Sequence, residues 1–372
     1  VVNKEIINSY EEYDTKLSTE LMAGEGPDLI LYDLFPQDLY KMSEAGAFYD
    51  LDTFIKQDAE FDMENFPKVI MDSGIINDKR YFIPISFSVP VFLTTEEIME
   101  SNGMVYDKSD WSWDYLSGFI SDFCTGVDNQ SKRYFMNEPF YFSDCLLSSG
   151  IKYIDYIKKE TYFNTPEFKN ILEISKRVQN CGINIKHISL GQMMKNGELF
   201  SVYTMDMPNP TKVHILQSRI KHYTEGTVRM IPFPTYDGSA KLTAGAGGLA
   251  AINSNSKNKE LVYELIKILL SDKIQRNQSI PYAPINKNVF DSMLEEYSEY
   301  VTQEFYDFYL YSMNEKLIDD LKYITDSIGQ CIITDNIYVN ISSKAYNYIS
   351  GKCSLQECIN KMENEVQLIL NE

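Results

Sequence analysis

Histidine is the side chain best suited to proton transfer near neutrality, and the chain carries three: His187, His214 and His222. None lies in an H-E-x-x-H pattern, and no G-x-S-x-G elbow is present. His214 and His222 are eight residues apart, too far for one helical turn, so the three read as scattered surface histidines. Gly24-Glu25-Gly26 has no Lys-Ser/Thr after it and precedes an expected strand, the reverse of a phosphate-loop order. Gly245-Ala246-Gly247-Gly248 likewise leads into a strand rather than a helix N-terminus, so nucleotide binding is rejected. A glycosidase needs two carboxyls about 5 Å or about 6.5–9.5 Å apart in space, which proximity in sequence does not supply. The many acidic side chains read as a solvated surface.

The aromatic content is more telling: 27 Tyr and 20 Phe against 2 Trp. Tyrosine offers an apolar face and a polar tip. A group of such rings in a cleft suits a ligand that is apolar on its faces and polar on its edges, as a sugar ring is. Asp, Glu, Asn and Ser would then satisfy the hydroxyls, since each one buried without a partner costs about 1–3 kcal/mol.

Strands alternating with helices must position these groups. Residues 13–22 read as a helix ending at Gly24, and 27–32 as a short buried strand. Helices follow at 36–44, stopped by Gly46, and at 50–55. The two prolines of 84–92 make that stretch extended, with a helix after it at 96–102. Thr165-Pro166 opens a helix whose stripe is Phe168, Ile171, Leu172 and Val178. Strands are expected at 198–203, 228–233 and 249–252. The next helix, capped within 254–256, should bury Leu261, Leu265 and Leu269, with Val262 and Ile266 beside them. A capping box, Ser354-Leu355-Gln356-Glu357, starts the last helix, with Ile359, Met362, Val366 and Ile369 as its stripe. The segments 84–92 and 244–248 are the places where the chain would cross between two α/β lobes and hinge.

Composition bounds the function. With 34 basic and 54 acidic side chains the net charge is −20, which disfavours nucleic acid and anionic lipid as partners. No apolar run approaches the roughly 20 residues of a membrane span. No signal peptide is visible at Val1. The six cysteines form no C-x-x-C or C-x-x-H pair, so zinc is not expected and the thiols read as mostly free and buried.

Several stretches, in order along the chain, are similar to the extracellular solute-binding proteins of ABC sugar importers, the relatives of maltose-binding protein. They are Ala23-Gly24-Glu25-Gly26-Pro27-Asp28-Leu29-Ile30, Ala45-Gly46-Ala47-Phe48-Tyr49-Asp50-Leu51 and Lys79-Arg80-Tyr81-Phe82-Ile83-Pro84. Trp111-Ser112-Trp113-Asp114, Lys195-Asn196-Gly197-Glu198, Ile231-Pro232-Phe233-Pro234, Gly247-Gly248-Leu249-Ala250-Ala251-Ile252 and Pro281-Tyr282-Ala283-Pro284-Ile285-Asn286 continue the series.

The resemblance implies a two-lobed, type II periplasmic-binding-protein-like α/β fold, each lobe a mixed sheet flanked by helices. The expected lobe segments are 1–88 and 242–295 for the first lobe, and 89–241 and 296–372 for the second. It implies an extracytoplasmic, monomeric substrate-binding component that hands a mono- or oligosaccharide to ABC transporter membrane subunits. A lipid anchor upstream, no catalysis, no cofactor and no metal go with it. Candidate ligand residues carried over are Tyr32, Asp33, Phe35, Phe87, Glu138, Phe140, Tyr141, Asp144, Asp206, Met207, Gly247 and Tyr338. Trp113 is expected to be structural. Asp206-Met207-Pro208 stands where the family places a stacking Trp, and the family's first strand and helix, about 40 residues, have no counterpart before Val1. A non-sugar ligand (a glycerophosphodiester or a peptide) and a carbohydrate-active enzyme are the alternatives.

Overall fold

The structure, a computed structural model, describes residues 9–32, 36, 38–125, 132–184, 190–203, 208–277, 280 and 282–371. Two mixed sheets organise it. Their strands are β1 (Leu29–Tyr32), β2 (Ile83–Ser88), β3 (Val91–Thr95), β4 (Tyr134–Met136), β5 (Leu199–Tyr203), β6 (Val228–Pro232), β7 (Leu242–Ile252), β8 (Ala283–Pro284) and β9 (Ile328–Ile332). The helices that matter for the site are α1 (Tyr10–Met22), α2 (Leu39–Glu44), α3 (Trp113–Thr125), α4 (Phe142–Ser149), α5 (Pro166–Val178), α6 (Lys259–Leu269), α7 (Glu315–Asp326), α8 (Asn336–Ile349) and α9 (Leu355–Asn371).

In the first sheet the order is β1-β7-β2-β8, with β9 parallel to the opening residues of β7 and on the same edge as β1. In the second the order is β6-β3-β5-β4. Two short segments connect the sheets, Val89-Pro90 and residues 233–241, and a third, residues 333–335, leads from β9 into the second-lobe helix α8. The backbone N–H of Phe233 donates to Pro90 O at 2.8 Å, tying the first two crossings together.

Most elements form where the pattern places them. Thr165 caps α5 through Phe168 N, with a proline at the first turn, and Phe168, Ile171, Leu172 and Val178 are buried. Ser354 and Glu357 make the capping box reciprocally, at 3.3 and 2.8 Å. Trp113 is fully buried, and its Nε1–H donates to Ser148 Oγ. All six cysteines are free.

Four expectations change. On α6 the buried face is Val262, Tyr263 and Ile266, while Leu261 and Leu265 are 62% and 42% exposed. Apolar residues on adjacent faces made the stripe ambiguous, and packing against β7 selects one of them. The glycine-rich 244–248 stretch lies inside the long strand β7 rather than leading into it. Residues 328–332, expected in the second lobe, pair with β7 in the first sheet. His214 is buried, not superficial: its ring stacks on Tyr297 at 4.3 Å and its Nε2 meets Tyr311 O at 2.8 Å. Burial holds its pKa below the usual value. His187 lies outside the described residues.

Candidate functional site

Between the two sheets, where the crossings converge, lies a cleft with about 800 Å³ of space free of protein atoms, part of it open to solvent. The first sheet contributes Tyr32 at the end of β1 and Gly245, Ala246, Gly248 and Leu249 of β7. Ser88 at the end of β2 and Val89 and Pro90 of the first crossing add to it, with Ile333 and Thr334 of the third. From the second lobe come Ser143, Asp144 and Leu147 of α4, Tyr203 at the end of β5, and Tyr338 of α8; Tyr282 closes the wall. Four tyrosines and one carboxylate thus face one space. No Lys or Arg lines it among the described residues.

Each polar group is held by its element. Asp144 lies in the first turn of α4. It shares a hydrogen bond with the Tyr203 hydroxyl, while its Oδ2 is out of contact with water and has no partner. Burial pushes its carboxyl up to about 7, against the lowering effect of the Tyr203 bond. The backbone N–H of Tyr203 donates to Asn137 Oδ1 at 2.7 Å, which fixes the end of β5. The Tyr338 backbone N–H donates to the capping carboxylate of Asp335 at 3.1 Å, and its hydroxyl donates to Ser143 O. Tyr32 is edge-on to Phe48 and Phe82, and its buried hydroxyl also has no partner. Gly247 lets the wall close: a Cβ there would lie 2.4 Å from Tyr282 Cδ2.

Buried polar atoms are almost always paired. Two unpaired ones, Tyr32 OH and Asp144 Oδ2, belong to residues that line this cleft, but the Tyr32 hydroxyl is buried in the first-lobe core beside Tyr13 and Asp14. The Asp144 oxygen, a pure acceptor when the carboxyl is ionised, suits a ligand bearing hydroxyls.

Of the sequence candidates, Tyr32, Asp144 and Tyr338 line the cleft; Gly247 does not, although its neighbours Ala246 and Gly248 on β7 do. Phe87 is in the core and does not line it. Phe140 is buried with its ring between Phe135 and Phe233, at 5.9 and 6.3 Å. Glu138 is half-buried and Tyr141 exposed, both off the cleft wall. Asp33, Phe35, Asp206 and Met207 lie outside the described residues. Tyr203, Tyr282, Ser88 and Thr334 were missed. Alternation along a strand could have found Ser88: if Phe87 faces the core, its neighbour faces the other way.

Among the described residues no group of His, Cys, Asp and Glu could hold a metal ion, and no helix is long and apolar enough to cross a membrane.

Residues 2–303 match the family model described as bacterial extracellular solute-binding protein. No curated protein matches the sequence. Among solved structures, the sugar-binding protein MalE of Xanthomonas citri superposes with a TM-score of 0.69 at 16% identity, covering 96% of this chain and 87% of that one. An ABC substrate-binding protein of Listeria monocytogenes in complex with cycloalternan gives 0.63 at 16%, covering 98% and 90%. A solute-binding protein of Thermotoga lettingae bound with α-D-tagatose gives 0.61 at 17%, covering 97% and 89%. The two-lobed solute-binding architecture is therefore common to all of them.

Proposed function

Because the chain belongs to the bacterial extracellular solute-binding proteins, we propose that it is the substrate-binding component of an ABC importer and captures a neutral mono- or oligosaccharide in the interlobe cleft. The observation that carries this is the cleft's inventory among the described residues: four tyrosines, a carboxylate with one unpaired oxygen and no cation. Aromatic faces cover the C–H face of a pyranose. Asp144 takes one of its hydroxyls, recovering what burial cost the carboxyl. A phosphate ligand would call for Arg or Lys at the same wall.

The structures bound to cycloalternan and tagatose support a carbohydrate as the ligand class. In this reading the protein binds without bond chemistry; among the described residues Asp144 is the one carboxylate on the cleft wall, whereas glycoside hydrolysis needs a pair. The ligand is held by closure of the lobes about the three crossings, and the liganded form engages the transporter's membrane subunits as a monomer, tethered outside the cytoplasmic membrane by a lipid anchor. In this reading the first lobe includes the strand at 328–332, and the remaining boundaries fall at the crossings.

A thermal-shift screen across mono- and oligosaccharides tests it. A ligand of the folded state raises apparent stability by RT ln(1 + [L]/Kd). At least one saccharide should raise Tm by several degrees at about 100 Kd, where the linkage is roughly 2.7 kcal/mol. Calorimetry on that hit should give saturable binding with no product. Turnover of the saccharide, or a shift only with phosphodiesters or peptides, would reject the proposal.

A further inference from the structure

The lobes also touch outside the ligand cleft. Tyr40 lies on α2 and packs against the first-lobe core that holds Tyr32 and Phe48. Tyr156 follows the short strand Ile154–Asp155 and packs against the second-lobe core. The two rings stack face to face, 3.7 Å between centroids and 6° between planes. Each ring is thus anchored in a different lobe.

The stack is wired to the cleft. The Tyr156 hydroxyl donates to Asp335 Oδ2 on the third crossing. Asp335 is 4% exposed, and its Oδ1 accepts from Tyr338 N, capping the helix that presents Tyr338 to the ligand space. Next to it, Asn336 N donates to Pro36 O at 3.3 Å, and Pro36 lines the cleft from the first lobe. Separating the lobes at this point would break the ring stack while leaving each ring's own core intact.

We propose that Tyr40 and Tyr156, held by Asp335, form an interlobe clasp that sets the affinity of the cleft by raising the fraction of molecules whose lobes are already together. The proposal rests on the reading of the cleft as the ligand site. The clasp touches no ligand. It acts through the competent fraction, because the apparent Kd is the intrinsic Kd divided by that fraction. Losing one aromatic stack weakens affinity by about two- to tenfold.

The test uses the ligand-free protein as well as the liganded one. Small-angle scattering on the full chain without ligand should show a larger radius of gyration for Tyr40→Ala and for Tyr156→Ala than for wild type. Tyr40→Phe, which keeps the ring, should scatter as wild type. The double variant should expand no further than either single one, as for two residues sharing one interaction. Circular dichroism matching wild type shows that the variants fold, and Tyr40→Leu, which removes the flat ring but keeps an apolar side chain, should expand like the alanine variants and carries the comparison if one of them does not fold. With the saccharide found by thermal shift, calorimetry should give a Kd weakened about two- to tenfold in both alanine variants. An unchanged radius in the alanine variants, or additive expansion in the double one, overturns the clasp. The scattering needs no ligand, so the clasp can fail while the sugar reading stands, and the reverse.

Discussion

Asp144 is the residue at which stability and binding pull apart. Its pKa in the folded protein is about 7 against an ordinary value near 4, because burial disfavours the charged form. A carboxyl raised in this way binds its proton more tightly folded than unfolded. Stability therefore falls as pH rises from about 4 to about 7 and is flat above. Asp144→Asn should leave Tm unchanged at pH 4 and raise it by several degrees at pH 8, in thermal melts without ligand. The same substitution should weaken saccharide binding at least tenfold, since hydrogen bonds to a charged acceptor are worth about 1.5–3 kcal/mol. Tyr32→Phe follows the same logic. Removing a buried hydroxyl that has no partner should stabilise the empty protein by about 1 kcal/mol in urea titrations. A loss of stability in either variant would show that the group is structural. Tyr32 and Tyr338 were legible in the sequence because the family resemblance implies cleft aromatics at or near those positions, and Asp144 only as an acid near them. Phe87 and Phe140 were candidates on the same resemblance but face the cores. A motif carries the residue type; only the local strand phase and the helix packed on it decide which way the ring points.

At the scale of elements, capping and periodicity were readable and close approaches were not. Thr165-Pro166 and the Ser354–Glu357 box start helices by local hydrogen bonds, which the sequence contains in full. The role of Gly247 in the 244–248 stretch depends on residues about thirty-five and about a hundred and sixty positions away. Gly247 lies against Tyr282 and Ser86, whose Oγ donates to Gly247 O at 3.0 Å. No local pattern reports that contact. Gly247→Ala would place its Cβ 2.4 Å from the Tyr282 ring and 2.7 Å from Ser86 Oγ. It should destabilise by about 1–3 kcal/mol, the usual range for overpacking, and push Tyr282 into the cleft, weakening the ligand. In a Tyr282→Ala background the stability cost should shrink, giving a favourable coupling in a double-mutant cycle from urea unfolding. A cost that is additive with Tyr282→Ala would remove this account of the glycine.

At the scale of the molecule, two lobes do not imply two folding units. One buried core runs through both sheets: Ile83 and Ala250 of the first, Val91, Leu93, Val202 and Met230 of the second, and Leu317, Leu321 and Ile324 of α7. α7 links them further. It packs on β6 and runs directly into β9, which pairs with β7. Arg229 of β6 binds the buried carboxylate of Asp320 on α7 through two bonds, at 2.7 and 2.9 Å, and reaches Glu96 at 2.9 Å. Opening the cleft need not disturb this core, whereas melting either lobe exposes part of it. The ligand-free protein should therefore unfold in one calorimetric transition, with van't Hoff and calorimetric enthalpies equal. Arg229→Met leaves the Asp320 carboxylate buried without its partner, so it should cost about 3–5 kcal/mol and lower that single transition rather than split it. Two resolved transitions in the wild type would mean that the lobes fold independently, and closure would then have to be treated as the docking of two separate domains.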